Sequence, residues 1–148
     1  MTPKSELADA STLSDAELRQ FLVGHWYASA YADKREPLLN WQEPDYRDDG
    51  SFTYTFIKRS IDPQTNRWLV HLNPRFGHWK IAEGKLILRW DRKSFPNSTR
   101  MSTERILRVG TNQVEVQEEL GSYLTYYRHL KIIRLNSHLL SPPQDHQT

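Results

Sequence analysis

Six histidines, two adjacent glutamates and a surplus of aromatic rings are the groups in this chain that could do chemistry. His71 and His78 flank Asn73-Pro74-Arg75-Phe76-Gly77, a stretch that reads as a turn and would let the two imidazoles approach to hold a metal or a haem. Against that, the chain contains no His-x-x-x-His pair and no carboxylate at ligand spacing, so satisfied or exposed histidines are the alternative. Glu118-Glu119, with Tyr123 and Tyr127 close behind, could supply a general acid or base if burial or a charged neighbour tuned them, whereas strand-edge glutamates are ordinarily solvated. No Gly-x-Ser-x-Gly, phosphate loop or dinucleotide fingerprint is present, and no cofactor is expected.

The rings are the stronger signal. Alternation along the chain predicts that Trp26, Phe52, Tyr54, Phe56, Trp68, Trp79, Leu88, Trp90 and Tyr126 face one interior. Such a set either lines a cavity for an apolar or aromatic small molecule or fills the interior outright. Tyr27, Tyr31, Tyr123 and Tyr127 alternate the other way. If the first and last strands pair, these tyrosines gather on one outer surface suited to a protein partner, although ordinary outward-facing tyrosines would look the same.

Placing those groups requires strands. Ser14-Asp15-Ala16-Glu17 fits a capping box, and Leu18, Phe21 and Leu22 form one face of a helix predicted over 15–22. A helix that short must dock on something, and the end of a barrel is the obvious surface. Gly24 ends it, and residues 25–32 alternate as a first strand. A strand over 38–46 contains Pro44, which removes a ladder donor and predicts an edge or bulged strand. Arg47-Asp48-Asp49-Gly50 is a hairpin turn leading to strand 51–59, and Asp62-Pro63-Gln64-Thr65-Asn66 is another turn. Trp68, Val70 and Leu72 then share an apolar face ahead of the predicted turn at 73–77.

The clearest hairpin follows: strands 78–82 and 85–90 about Glu83-Gly84. After a polar loop at 91–100 come strand 102–109, the turn Gly110-Thr111-Asn112, strand 113–119, a break at Leu120-Gly121 and strand 122–130. Residues 131–140 read as strand or helix, and residues 1–13 and 141–148 as flexible. Eight or nine strands joined mostly by hairpins predict an all-β fold: an antiparallel, eight- to nine-stranded up-and-down barrel with a short N-terminal helix, one domain over 14–130. Closure would remove the exposed edges.

Composition narrows the class. At 148 residues the chain is long enough for one good core. Having no cysteine, it has no disulfide, thiolate or iron–sulfur chemistry. The net charge is +2; residues 1–24 carry −2, from Lys4 and Arg19 against Glu6, Asp9, Asp15 and Glu17, which leaves +4 for the remainder. Basic residues do lie beside rings, at Lys58-Arg59, Arg67-Trp68 and Arg89-Trp90-Asp91-Arg92-Lys93, but the rings share faces with Leu, Ile and Val, so a nucleic-acid partner is not expected. Neither a signal peptide nor a membrane span is apparent, so the default expectation is a cytoplasmic protein without a membrane partner.

Three segments, Leu22-Val23-Gly24-His25-Trp26, Asp49-Gly50-Ser51-Phe52 and Gly77-His78-Trp79-Lys80-Ile81-Ala82-Glu83-Gly84-Lys85-Leu86-Ile87-Leu88, together resemble the lipocalin-like group of the calycins, in particular its small bacterial domains. The resemblance spans roughly residues 14–130. It implies that Gly24 and Trp26 close the base of a barrel and that Arg128, in Tyr126-Tyr127-Arg128, packs on the Trp26 indole. The function it implies is non-enzymatic binding of a small hydrophobic or aromatic ligand. The alternatives are a protein-interaction module of inhibitor or immunity type with a filled barrel, and a small barrel enzyme using tyrosine or glutamate.

Overall fold

The computed structural model of the protein describes residues 7–28, 40–91 and 100–129. The capping box is present: the Ser14 hydroxyl accepts from the Glu17 amide at 3.1 Å, and Glu17 Oε1 accepts from the Ser14 amide at 2.9 Å. It opens helix α1 (Asp15–Leu22), whose Leu18 and Leu22 are wholly buried. Part of the N-terminal segment predicted to be flexible takes regular structure. Ala8–Asp9 (β1) pairs with Val109 and Arg108, and Ala10 is buried in the short 3-10 turn that follows.

The remaining strands are β2 (Gly24–His25), β3 (Tyr27–Ala28), β4 (Asn40–Tyr46), β5 (Ser51–Asp62), β6 (Arg67–Ala82), β7 (Lys85–Trp90), β8 (Arg100–Val109), β9 (Gln113–Glu118) and β10 (Tyr123–Tyr127). All pairings are antiparallel. Those of β3 through β10 return to their start, so eight strands form a ring, with β2 also on β4 and β1 also on β8. The pairing of β3 with β10 sets Tyr27 opposite Tyr127. The predicted all-β antiparallel fold with one N-terminal helix is therefore present.

Two strand predictions need correction, and both concern proline. Pro44 sits inside the ring with an unbroken register to β5, neither on an edge nor in a bulge. Its missing donor falls opposite Trp26, whose own amide donates to the Pro44 carbonyl at 2.8 Å. With no proline N–H to complete that pair, the strand predicted over 25–32 divides at Trp26 into β2 and β3; its residues 29–32 lie outside the described set. The turn predicted at Asn73–Gly77 does not exist, because β6 runs through it as one strand paired with β5 from Arg67 to His78. Pro74 is tolerated because β7 reaches β6 only from Gly77 onward, leaving the other edge at Pro74 without a strand partner among the described residues.

That continuity decides facing. Residues 68 and 79 are an odd number apart on one strand, so with Trp79 inward, Trp68 must point outward. It lies on the outer face with the Arg59 guanidinium 4.2 Å from its ring centroid, and Val70 and Leu72 on the same face are exposed, Leu72 by 64%.

The helix covers one end of the ring. The Asp15 carboxylate accepts from the amides of Glu83 and Gly84 in the β6–β7 turn, each at 2.9 Å. Two Gly-His-Trp triplets build the floor beneath it in the same way. In the first, Trp26 Nε1 donates to the Leu22 carbonyl at 2.8 Å, and Arg128 Cζ stands 3.6 Å from the ring centroid. In the second, Trp79 Nε1 donates to the Arg47 carbonyl at 2.8 Å, and Arg19 Cζ stands 4.5 Å from the ring. Each glycine clears space: a Cβ on Gly24, which has φ of +123°, would strike the Arg128 guanidinium, and one on Gly77 would strike the Phe52 ring and the Arg89 carbonyl. His25 and His78 point outward, His25 bonded to Glu43 at 2.9 Å.

Candidate functional site

Away from the helix, the inner face ends in a cavity of about 370 Å³. Its apolar wall consists of Tyr54 and Phe56 on β5 with Leu88 and Trp90 on β7; Glu104 on β8 and Glu118 on β9 are carboxylates in the lining, joined by Glu119, Leu120 and Ser122 of the β9–β10 turn. The rings interlock, with centroids 5.2 Å apart for Tyr54 and Phe56 and 5.3 Å apart for Tyr54 and Trp90. Trp90 is fixed by a 2.9 Å hydrogen bond from Nε1 to Ser102 Oγ. Interlocked rings lose little further freedom when a ligand lies against them.

Below the rings sits a buried polar group. Glu104 is 5% exposed, and its Oε1 accepts a 2.6 Å hydrogen bond from the Tyr126 hydroxyl. Tyr46 lies beside them, its hydroxyl 3.4 Å from that of Tyr126. Burial pushes the Glu104 carboxyl up to about 7; the Tyr126 hydrogen bond opposes the shift and the Glu118 charge reinforces it. Burial likewise raises the Tyr54 and Tyr126 phenols, with the Glu104 charge adding to it. Glu104 and Glu118 are directly opposed across β8 and β9 on the inner face. A bulge between Ile106 and Arg108 then shifts the alternation toward the helix-covered end: Val109 is buried, and Arg108 turns out to meet Glu115 at 2.7 and 2.9 Å.

The residues expected to share an interior separate into three groups. Tyr54, Phe56, Leu88 and Trp90 line the cavity. Trp26, Phe52, Trp79 and Tyr126 are buried in the core beneath it. Trp68 is not interior at all, for the parity reason given above. Gly24, Trp26 and Arg128 meet at the helix-covered end. Of the outward tyrosines, Tyr27 and Tyr127 are half-buried cross-strand partners and Tyr123 is 71% exposed, while Tyr31 lies outside the described residues.

His71 and His78 cannot approach one another, because they stand seven residues apart on one extended strand, about 23 Å by strand rise. Among the described residues no group of three or more His, Cys, Asp or Glu could hold a metal ion, and no helix is long and apolar enough to cross a membrane.

Glu104 is the residue that pattern reading missed. Its signal was faint: in Arg100–Val109 it shares the inward alternation of Ser102 and Ile106, but Thr103 and Arg105 make the segment look solvated. Glu118 shares the alternation of Val114 and Val116 in the same way.

Chemically, a buried carboxyl titrating near neutrality can accept a hydrogen bond, pair with a cation, or move a proton. Compared with known proteins, the chain matches no family model and no curated sequence.

Proposed function

We propose that this protein is a non-enzymatic binding protein of lipocalin-like type, a barrel closed at the helix end, which holds a small molecule with an aromatic or apolar body at the other. The observation that carries the reading is the cavity of about 370 Å³ walled by Tyr54, Phe56, Leu88 and Trp90. Its volume falls within the range of small-molecule sites, roughly 300–1,000 Å³. Two arrangements support it further: the strand pairings form a ring, and the helix covers only one end of it. A carboxyl alone defines no reaction, so Glu104 is read as a recognition group.

The test is native mass spectrometry of protein purified from its own host, paired with displacement of an apolar dye. A defined small molecule released on unfolding supports the reading. A bare mass together with no dye uptake overturns it.

A second reading, a protein-interaction module, is favoured by the arm in which β5 and β6 extend past β4 and β7. Its outer face exposes Val70 and Leu72 beside strand edges that have no strand partner among the described residues. Self-association through that arm would appear as a concentration-dependent mass in sedimentation, abolished by Leu72→Lys.

A further inference from the structure

The cavity's charge narrows what it would hold. Three of its lining side chains are carboxylates, Glu104, Glu118 and Glu119, and none of the described lining residues is Lys or Arg. Two of the three face each other: Glu104 and Glu118 are directly opposed across the ladder, which places their Cβ atoms about 5 Å apart. Glu104 already has one oxygen committed to Tyr126, and among the described residues no donor reaches its Oε2. An apolar body alone gives no reason for a buried acid with a second, half-buried acid directly opposed to it, since bringing like charges together is unfavourable. A cation between them relieves both costs at once, and rings alongside favour it again through their negative faces. The Arg75 guanidinium, 5.9 Å from the centroid of Phe56, lies outside the lining.

Building on the binding reading above, we propose that the ligand is an organic amine: a protonated ammonium group seated between Glu104 and Glu118, with an aromatic or apolar body against Tyr54, Phe56 and Trp90. Gln42, Ser102, Thr103 and Ser122 supply the uncharged polar part of the lining. Seating the ammonium requires Glu104 as the carboxylate, so binding releases the carboxyl proton to solvent wherever the free protein holds Glu104 protonated. The groups that face it are Glu118 from β9, Tyr126 from β10, Tyr54 from β5 and Tyr46 from β4.

The experiment is a calorimetric titration of the full chain with three probes of one shape: 2-(1-naphthyl)ethylamine, 2-(1-naphthyl)ethanol and 1-naphthylacetate. At about pH 8 the amine is expected to bind about tenfold or more tighter than the alcohol, and the acetate weakest. The amine's advantage shrinks at about pH 5.5, where the amine itself stays charged but Glu104 is neutral. Glu104→Gln and, separately, the half-buried Glu118→Gln reduce amine affinity more than alcohol affinity. If amine and alcohol bind alike, or the acetate binds best, the amine assignment is overturned while the binding reading stands. If none of the three binds, both are overturned.

Discussion

The Tyr126 hydroxyl reaches past β9 to Glu104, donating across 2.6 Å and joining β10 to β8 through the interior of the ring. The bond holds a carboxyl where solvent hardly reaches, at the floor of the cavity, and a phenol buried beside it has no reason to ionise. One pair thus ties the stability of the closed pairing to the polarity of the candidate site.

The first prediction concerns that pair. Burial lifts the Glu104 carboxyl from its ordinary 4.5 to about 7, so between those values the folded protein holds a proton that the unfolded chain has released. The group's contribution to stability is full below about 4.5 and is lost as pH rises through about 7, a total of about 3 kcal/mol. Glu104→Gln keeps a partner for Tyr126 and cannot ionise. Urea unfolding of the variant should therefore match wild type in acid and exceed it at about pH 8.5. An identical pH slope in both proteins would refute the burial of a titrating carboxyl.

Trp26 and Arg128 should behave as one structural unit. Trp26→Ala removes a wholly buried ring and its bond to Leu22, at a cost of roughly 3–5 kcal/mol. Arg128→Ala also releases the Phe21 carbonyl, which Arg128 Nη2 meets at 2.9 Å, and is expected to cost roughly 1–3 kcal/mol. Arg128→Lys recovers little, since a lysine offers neither the planar stack nor the fork. Chemical denaturation measures all three; a loss under about 1 kcal/mol for Trp26→Ala contradicts its placement.

Gly24→Ala should be severe for two reasons, a strained φ and collision with Arg128. The collision is separable. Adding Arg128→Ala to Gly24→Ala removes it while leaving the strain, so the double variant should lose less than the sum of the singles by about 1 kcal/mol or more. Additive losses would show that the glycine answers to backbone conformation alone. Gly77→Ala, pressed against Phe52 and the Arg89 carbonyl, is expected to destabilise with no such rescue.

The unbroken β6 turns Leu72 outward, whereas Leu88 on β7 faces inward. Leu72→Lys changes an exposed outer position and should alter stability by no more than about 0.5 kcal/mol. Leu88→Lys puts an ammonium into the cavity wall and the core cluster, and should cost several-fold more. A large loss at Leu72 would restore the turn at 73–77 and the inward face that goes with it.

Local chemistry alone determined much of this molecule. Ser14 and Glu17 specify where the helix begins, because both capping groups lie within four residues of each other. Gly50, Gly84 and Gly121 mark turns whose positive φ excludes most other residues. Period-two alternation places Phe52, Tyr54, Leu88, Trp90 and Tyr126 on the inner face, since parity within one uninterrupted strand needs no partner to define it. Tertiary structure decided whatever depends on a neighbour. Pro74 looks like a strand breaker until β5 is seen to pair with it on one edge while the other has no strand partner among the described residues, and only that continuity turns Trp68 outward. Pro44 divides a strand that is not its own, by withholding a donor from Trp26. Glu104 reads as one more solvated charge between Thr103 and Arg105. Burial, Tyr126 and the opposed Glu118 make it a site, and all three come from residues at least fourteen positions away, brought together by the pairing of β8, β9 and β10.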